Sequence, residues 1–243
     1  MADTSSSDDV ANLRYPGGEV DLKIVRATEG SDGIELGSLL AKTGYTTYDG
    51  GFVNTSATKS AITYIDGDAG ILRYRGYPIE QLAEKSNFIE VSYLLIYGEL
   101  PTAAELEAFT TKIQRHTLLH EDLKRFFDGF PRNAHPMPVL SSAANALSAY
   151  YQDSLDPKDP EQVELSTIRL LAKLPTIAAY AYKKSEGQPF LYPDNSLSFV
   201  DNFLKLNFGN LAEVYEVNPI TSRALERLLI LHEDHEQNAS TRS

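Results

Sequence analysis

Histidine and acidic side chains cluster near the C-terminal end of the sequence, where their types suit proton transfer or the binding of an acid. His232 and His235 lie in the segment 231–238, LHEDHEQN, directly after a strongly apolar run. An imidazole donates hydrogen bonds to carboxylate or keto oxygens, and titratable groups at the edge of a core are frequent at functional sites. A polar helix end in water explains the same pattern equally well, so the spacing alone leaves both interpretations open.

A second histidine pair, His116 and His120, has the spacing that places both rings on one face of a continuous helix. The zinc-hydrolase pattern HExxH is absent, because Glu121 follows the second histidine and not the first. Surface or interface histidines explain this pair better than a metal does. The loop 66–70, DGDAG, lacks the downstream ligands of a calcium loop and is typical of a turn. We predict no metal site, with a metal-binding helical protein that uses both histidine pairs as the alternative.

Basic residues concentrate around the first histidine pair and along a long helical segment. Arg169 and Lys173 are four residues apart and share a helix face. With Arg115 and either Tyr150 or Tyr151 nearby, they form a candidate site that holds a phosphate-bearing ligand by charge and stacking. The alternative is an ordinary solvated helix surface.

The overall composition restricts the classes of protein that fit. The 243 residues carry 22 Lys and Arg against 34 Asp and Glu, a formal charge of −12 that argues against general nucleic-acid or anionic-membrane binding. The sequence contains no Cys, which excludes disulfides and thiolate metal sites. No apolar run is long enough to span a membrane, and the start MADTSSSDD does not resemble a secretory signal. We therefore expect a cytoplasmic protein without nucleic-acid or membrane partners.

The sequence predicts a mainly α fold, with a small N-terminal β-hairpin region followed by about eight helices. These elements must position the side chains described above. Residues 1–12 are predicted to be disordered, 13–77 to form the small β-rich region and 78–243 the helical region. In the β-rich region, residues 20–25 alternate as a half-buried strand does, and a hairpin is predicted with a five-residue loop at 66–70. The predicted helices cover 79–85, 88–97, 102–117, a segment ending near 127, 138–152, 160–184 with a kink at Pro175, 197–208 and 219–238.

Five segments occur in order along the chain: residues 62–79, RNAHPM at 132–137, KLPT at 173–176, GQPF at 187–190 and LHEDHEQNAS at 231–240. Together they resemble landmarks of the citrate synthases. The resemblance begins at about residue 13, and its details are most similar to actinobacterial members of the bacterial branch. It implies that residues 78–243 are an incomplete part of the large helical domain of that family.

The resemblance implies an acyltransferase that converts the acyl group into an alkyl group on transfer. Citrate synthases condense acetyl-CoA with oxaloacetate and water to citrate and CoA in the tricarboxylic acid cycle, with no cofactor or metal, and a homo-oligomer is expected. By family position His235 contacts oxaloacetate, and His232 lies beside it. A regulatory nucleotide site of the NADH type is implied for a set of six residues. They are Arg115, His116, Thr117, Tyr150, Arg169 and Lys173.

Three further motifs of the family are absent from the sequence. Gly-Pro-x-His-Gly and Gly-x-Gly-His-x-x-Tyr carry its two catalytic histidines, and Pro-Asn-Val-Asp carries its catalytic aspartate; none occurs here. The chain therefore resembles the N-terminal part of a citrate synthase, and we expect it to contain no catalytic residue and to be inactive alone. The alternatives are a non-catalytic remnant that binds a dicarboxylate and a nucleotide, and an enzyme of the 2-methylcitrate synthase type that uses propionyl-CoA.

Overall fold

The structure is a computed structural model that describes residues 9–56 and 58–235. The chain divides into two compact units, Met1–Pro78 with Asp234–Ser243, and Ile79–Glu233. The predicted boundary after residue 77 lies next to this division. The described residues are mainly α-helical, which confirms the predicted fold class. Among them, no helix has the length and apolar character that crossing a membrane requires.

The first unit begins with an antiparallel three-stranded sheet in the order β1-β2-β3. The alternation predicted for residues 20–25 is confirmed, because Val20 and Leu22 are buried against Leu39 while their neighbours face outward. Disorder was predicted through residue 12, and this is wrong from Val10 onward, because β1 pairs with β2 along its whole length. Residues 1–8 lie outside the described residues. The elements are β1 (Val10–Tyr15), β2 (Gly18–Val25), β3 (Gly33–Ile34) and α1 (Leu39–Thr43).

A second antiparallel sheet of the first unit contains β4 (Thr63–Asp66), β5 (Ile71–Tyr74) and β6 (Tyr77–Pro78). The predicted hairpin is confirmed, although its loop has four residues because Asp66 pairs with Ile71. The β5–β6 turn is Arg75-Gly76, with φ of 49° and 88°. Two positive φ values are the mark of a type I′ turn, whose twist matches that of the flanking strands. Thr63 and Tyr74 stand directly opposite each other in this sheet.

The second unit contains eight α-helices within the described residues, in agreement with the predicted number. Most lie within two residues of the predicted bounds, and the exceptions are the two histidine-bearing segments, where the helices end earlier. The helices are α2 (Ile79–Lys85), α3 (Phe88–Tyr97), α4 (Ala103–Gln114), α5 (Glu121–Phe126), α6 (Pro136–Tyr150), α7 (Pro160–Glu186), α8 (Phe199–Phe208) and α9 (Pro219–Leu231).

Capping residues explain where these helices start and stop. Thr102 and Glu105 form the predicted capping box of α4, in which each side chain bonds the other residue's backbone amide. Gly98 ends α3 in the left-handed conformation, as the sequence indicated. His120 lies outside α4 and caps α5 by accepting from the Asp122 amide at 3.2 Å. The condition for His116 and His120 to share one helix face, a continuous helix, is therefore not met, because α4 ends at Gln114.

The long helix α7 runs unbroken through Pro175 and is central to the packing of the second unit. With α5 and α6 it encloses the larger core. With α3 and α4 it encloses a second one. The first core contains Leu119, Leu123, Phe127, Val139, Ala143, Leu147, Ile177, Tyr180 and Ala181, and the second contains Ile89, Phe109, Ile113, Ile168 and Ala172.

Two lysines of α7 are almost completely buried, with 2% of Lys173 and 1% of Lys183 exposed. The Lys183 ammonium donates to the side-chain oxygen of Gln188 and to the Gly209 carbonyl, both at 2.6 Å. Since Gly209 directly follows α8, this bond joins the end of α7 to the end of α8. Burial lowers the pKa of Lys183.

Candidate functional site

The predicted oxaloacetate ligands follow α9, whose bounds determine how they are presented. Asn218 caps the start of the helix by accepting from the Ile220 and Thr221 amides at 2.9 and 3.2 Å. The last helical residue is Leu231, and His232 forms the C-cap with its amide 3.1 Å from the Leu229 carbonyl. The helix predicted to continue to residue 238 therefore ends earlier. Residues 236–243, which complete the LHEDHEQNAS segment, lie outside the described residues.

His232 is exposed and its imidazole is oriented by the helix end. Nδ1 lies 2.8 Å from the Leu228 carbonyl oxygen. A carbonyl oxygen can only accept, so Nδ1 carries the proton of this bond. In the neutral ring Nε2 is then the nitrogen without a proton.

Glu233 bonds to α3 within the second unit. Its Oε1 lies in hydrogen-bond contact with Ser92 Oγ of α3, and its Oε2 is buried without a hydrogen-bond partner among the described residues. Ser92 Oγ also lies 2.9 Å from the Phe88 carbonyl, which takes the only hydroxyl proton. The remaining bond to Glu233 is then best made by a protonated carboxyl group. Burial, reinforced by the charge of Glu226, raises the pKa of Glu233 to about 8.

Asp234 and His235 belong to the first unit. The Thr63 hydroxyl donates to Asp234 Oδ2 at 2.5 Å, and the Asp234 amide donates to the Tyr74 hydroxyl at 3.3 Å. Asp234 is half-buried, whereas His235 is exposed. From the sequence, roles were predicted for the two histidines only, and no partner was predicted for the acidic pair between them. The signal was present, since two carboxylates flanked by histidines after an apolar helix must either face water or find donors.

The candidate nucleotide site is built on α7. The Arg169 guanidinium bonds both carboxylate oxygens of Asp153, at 2.7 and 3.1 Å, and the Ser154 hydroxyl at 2.7 Å. One turn later, the Lys173 ammonium donates to the carbonyls of His116 and Leu118 at 2.6 and 2.5 Å. The structure thus brings these two predicted cations together, and each already has partners within the chain.

An aromatic ring completes this cationic cluster, which consists of Arg169, Lys173 and Tyr151. The Tyr151 ring centroid lies 4.5 Å from Arg169 Cζ and 5.0 Å from Lys173 Nζ. Of the two candidate tyrosines it is therefore Tyr151 that meets the cations, while Tyr150 packs its ring 4.9 Å from that of His120. Burial and the neighbouring charge of Arg169 lower the pKa of Lys173 to about 8.

The other predicted members of the nucleotide site make separate contacts. The His116 imidazole lies 2.7 Å from the Lys112 carbonyl, so only the backbone of His116 reaches Lys173. Thr117 is buried, and its hydroxyl lies 3.0 Å from the Gln114 carbonyl and 3.1 Å from Asn195 Oδ1. Arg115 is exposed. Arg169 Nε is buried without a hydrogen-bond partner among the described residues.

Two surface recesses lie away from the predicted site residues. One recess of about 390 Å³ lies along the start of α9, and one of about 310 Å³ lies beside β2; neither is lined by a predicted site residue. In the described part of the chain, no group of three His, Asp or Glu side chains is arranged to hold a metal ion.

Known proteins similar to this chain agree on one family. The family model described as "Citrate synthase, C-terminal domain" matches residues 51–243. Citrate synthase 1 of Mycobacterium tuberculosis is 77% identical over 241 residues, which are 99% of this chain and 55% of that protein. Citrate synthase of Corynebacterium glutamicum is 57% identical over 231 residues, 95% of this chain and 53% of that protein. The chain spans about half the length of these curated relatives.

Solved structures show the same likeness. Citrate synthase from Pyrobaculum aerophilum matches with a TM-score of 0.70 and 32% identity, over 99% of this chain and 53% of that one. Citrate synthase from Thermotoga maritima matches with a TM-score of 0.67 and 35% identity, over 80% of this chain and 49% of that one. Citrate synthase from Thermoplasma acidophilum was solved as a ternary complex with carboxymethyl coenzyme A and oxaloacetate. It matches with a TM-score of 0.69 and 26% identity, over 77% of this chain and 48% of that one.

Proposed function

Because the chain belongs to the citrate synthase family, we propose that it supplies part of an enzyme that condenses acetyl-CoA with oxaloacetate and water to citrate and CoA. The observation that carries the proposal is 77% identity to a citrate synthase over 99% of the chain. The ternary complex of the Thermoplasma relative supports the two substrate classes, a keto diacid and a coenzyme A thioester. The reaction belongs to the tricarboxylic acid cycle, and a cytoplasmic location and a homo-oligomer stay predictions.

Within that reaction, we assign His235 to the binding of oxaloacetate. Its side chain is exposed, and an imidazole can donate to the keto oxygen or to a carboxylate. A substrate-binding role of His232, which is also exposed, stays a prediction from the sequence. A cationic imidazole also offsets part of the charge of a diacid in a chain whose formal charge is −12.

We further propose that the 243-residue chain does not catalyse the condensation by itself. The three motifs that carry the family's two catalytic histidines and its catalytic aspartate do not occur in this sequence. Each general acid or base contributes on the order of 10²–10⁴-fold to a rate, so the loss of all three leaves no measurable turnover. The same proposal holds if the acyl donor is propionyl-CoA, as in 2-methylcitrate synthases.

The test has two measurements on the purified chain. Release of CoA from acetyl-CoA and oxaloacetate is followed with a thiol reagent, and we expect the rate of the buffer alone; turnover above that rate refutes inactivity. Oxaloacetate is then titrated into chain labelled with ¹⁵N-histidine. Shifts of the His235 imidazole that persist in His135→Ala, together with weaker oxaloacetate binding by His235→Ala, support the assigned role. A titration that leaves the His235 resonances unmoved refutes it for this chain.

A second candidate function, nucleotide binding, is favoured by one observation: two cations of α7 converge on one aromatic ring. An adenine or nicotinamide ring can stack on Tyr151 while a phosphate binds Arg169, whereas the almost completely buried Lys173 keeps its bonds to two carbonyl oxygens. The Asp153 carboxylate opposes this, because it already occupies the guanidinium. A phosphate must displace it.

Calorimetric titration with NADH tests this second function. We expect weak binding by the chain as it stands and at least fivefold tighter binding by Asp153→Asn, which weakens the internal ion pair. The exposed Asp122→Asn serves as the control for a change of one unit of charge. Equal affinities of Asp153→Asn and Asp122→Asn refute a nucleotide site at Arg169.

A further inference from the structure

Asp234 is held at two points by a single cross-strand pair of the second sheet. Thr63 and Tyr74 face each other across β4 and β5, and they bond the carboxylate and the backbone amide of Asp234 respectively. These partners are 171 and 160 residues distant in sequence. A residue fixed through both its side chain and its main chain has little freedom left.

Thr63 and Tyr74 together form the anchor of Asp234, and its rigidity comes from the strands that carry them. Tyr74 is completely buried at 0% exposure, and Thr63 is half-buried in the first position of β4. The register of the hairpin is set by four consecutive antiparallel pairs. The hydroxyl groups that hold Asp234 therefore lie on ordered backbone. The bond from Thr63 is also a strong one, because a hydrogen bond to a carboxylate is roughly twice as strong as one between neutral groups.

The residue that follows this anchor is His235. Consecutive Cα atoms are about 3.8 Å apart, so fixing the amide and side chain of Asp234 also fixes where the next residue starts. We propose that Asp234, through Thr63 and Tyr74, is a positioning residue that holds His235 for the binding of the keto diacid. This inference rests on the proposed function of His235.

The charge of Asp234 fits a positioning role and does not fit direct contact with the substrate. A carboxylate beside a dicarboxylate ligand repels it. The Thr63 hydroxyl, 2.5 Å from Oδ2, offsets part of that negative charge locally. An uncharged acceptor of the same shape preserves the anchor, so Asp234→Asn should behave like the native chain, whereas Asp234→Ala and Thr63→Val should not.

The test measures the affinity for oxaloacetate and the mobility of one imidazole. Using the full 243-residue chain labelled with ¹⁵N-histidine, we expect Asp234→Ala and Thr63→Val to weaken oxaloacetate binding about tenfold, and Asp234→Asn to stay within threefold. Thr47→Val, at an exposed threonine, is the matched control and should bind as the native chain does. Circular dichroism at 222 nm should be the same for all variants, which separates positioning from loss of the fold.

Relaxation of the His235 ring nitrogens gives the readout that is independent of ligand. We expect faster local motion of this ring in Asp234→Ala and Thr63→Val, and native motion in Asp234→Asn. If oxaloacetate does not bind even the native chain, the proposed function fails for this chain, and the positioning inference is judged by relaxation alone. Native relaxation of His235 in Asp234→Ala overturns the inference, as does unchanged oxaloacetate affinity in that variant.

Discussion

Replacement of Glu233 by glutamine should remove a pH dependence from the stability of the second unit. The folded chain holds the Glu233 carboxyl at a pKa of about 8, against an ordinary value of 4.5, because the group is buried next to Ser92 and near Glu226. A raised carboxyl pKa means that the folded state binds the proton more tightly than the unfolded state does. The stabilising contribution is therefore complete below pH 4.5 and is lost as the pH rises through 8.

The magnitude follows from the size of the shift. Each pKa unit corresponds to about 1.4 kcal/mol, so the full shift corresponds to about 5 kcal/mol between pH 4.5 and pH 8. Glu233 is half-buried, and water that reaches the charged form reduces this cost. We expect the native chain to lose at least about 2 kcal/mol of unfolding free energy over that range relative to Glu233→Gln.

The assay is urea unfolding followed at 222 nm, at pH 5, 6, 7, 8 and 8.5. Subtracting the curve of Glu233→Gln from that of the native chain cancels the groups whose titration does not depend on Glu233. Glu107→Gln, at an exposed position of α4, is the control and should leave the slope unchanged. If native chain and Glu233→Gln lose stability in parallel from pH 5 to pH 8.5, the carboxyl is not protonated in the folded state and the assignment of its bond to Ser92 is wrong.

Two further substitutions test how the helices are terminated. Thr102→Ala removes the capping box of α4 and should lower the free energy of unfolding by about 1 kcal/mol, measured by urea unfolding with Thr47→Ala as the exposed control. Gly187→Ala should lower it by about 1–2 kcal/mol, because residue 187 has φ of 68° and a Cβ there would lie 2.5 Å from Arg132 Nη2. A melting temperature of Gly187→Ala equal to that of the native chain would contradict this account.

The sequence predicted well those elements whose signals are local. The capping box at Thr102, the glycine stop at Gly98 and the proline starts of α7 and α9 each act within one turn of the helix, so the predicted and observed starts agree. The helix ends near the histidines were placed too late. His120 can occur inside a helix or cap one, and the choice of a cap at α5 depends on packing that periodicity does not show.

The contacts of the candidate site residues were predicted less completely, since they join residues that are distant in sequence. The i,i+4 spacing of Arg169 and Lys173 correctly placed them on one face of α7. Nothing local indicated that Asp153 pairs with Arg169, or that carbonyls of the α4–α5 link receive Lys173. The choice between Tyr150 and Tyr151 likewise depends on how α6 ends. The partners of Asp234 lie more than 150 residues earlier, beyond the reach of any spacing argument.

The acylation rates of the two buried lysines of α7 can be used to follow the opening of the second unit. Amine-directed reagents such as acid anhydrides need a deprotonated, solvent-reachable nitrogen, and the ammonium groups of Lys173 and Lys183 are both sequestered against carbonyl oxygens. Lysines on the outside should acylate within minutes, while these two should remain unmodified until their surroundings separate. Mass spectrometry of the peptides shows which lysine is acylated first. Early acylation of Lys173 indicates that the α4–α5 link separates from α7 first, and early acylation of Lys183 indicates that the end of α8 does.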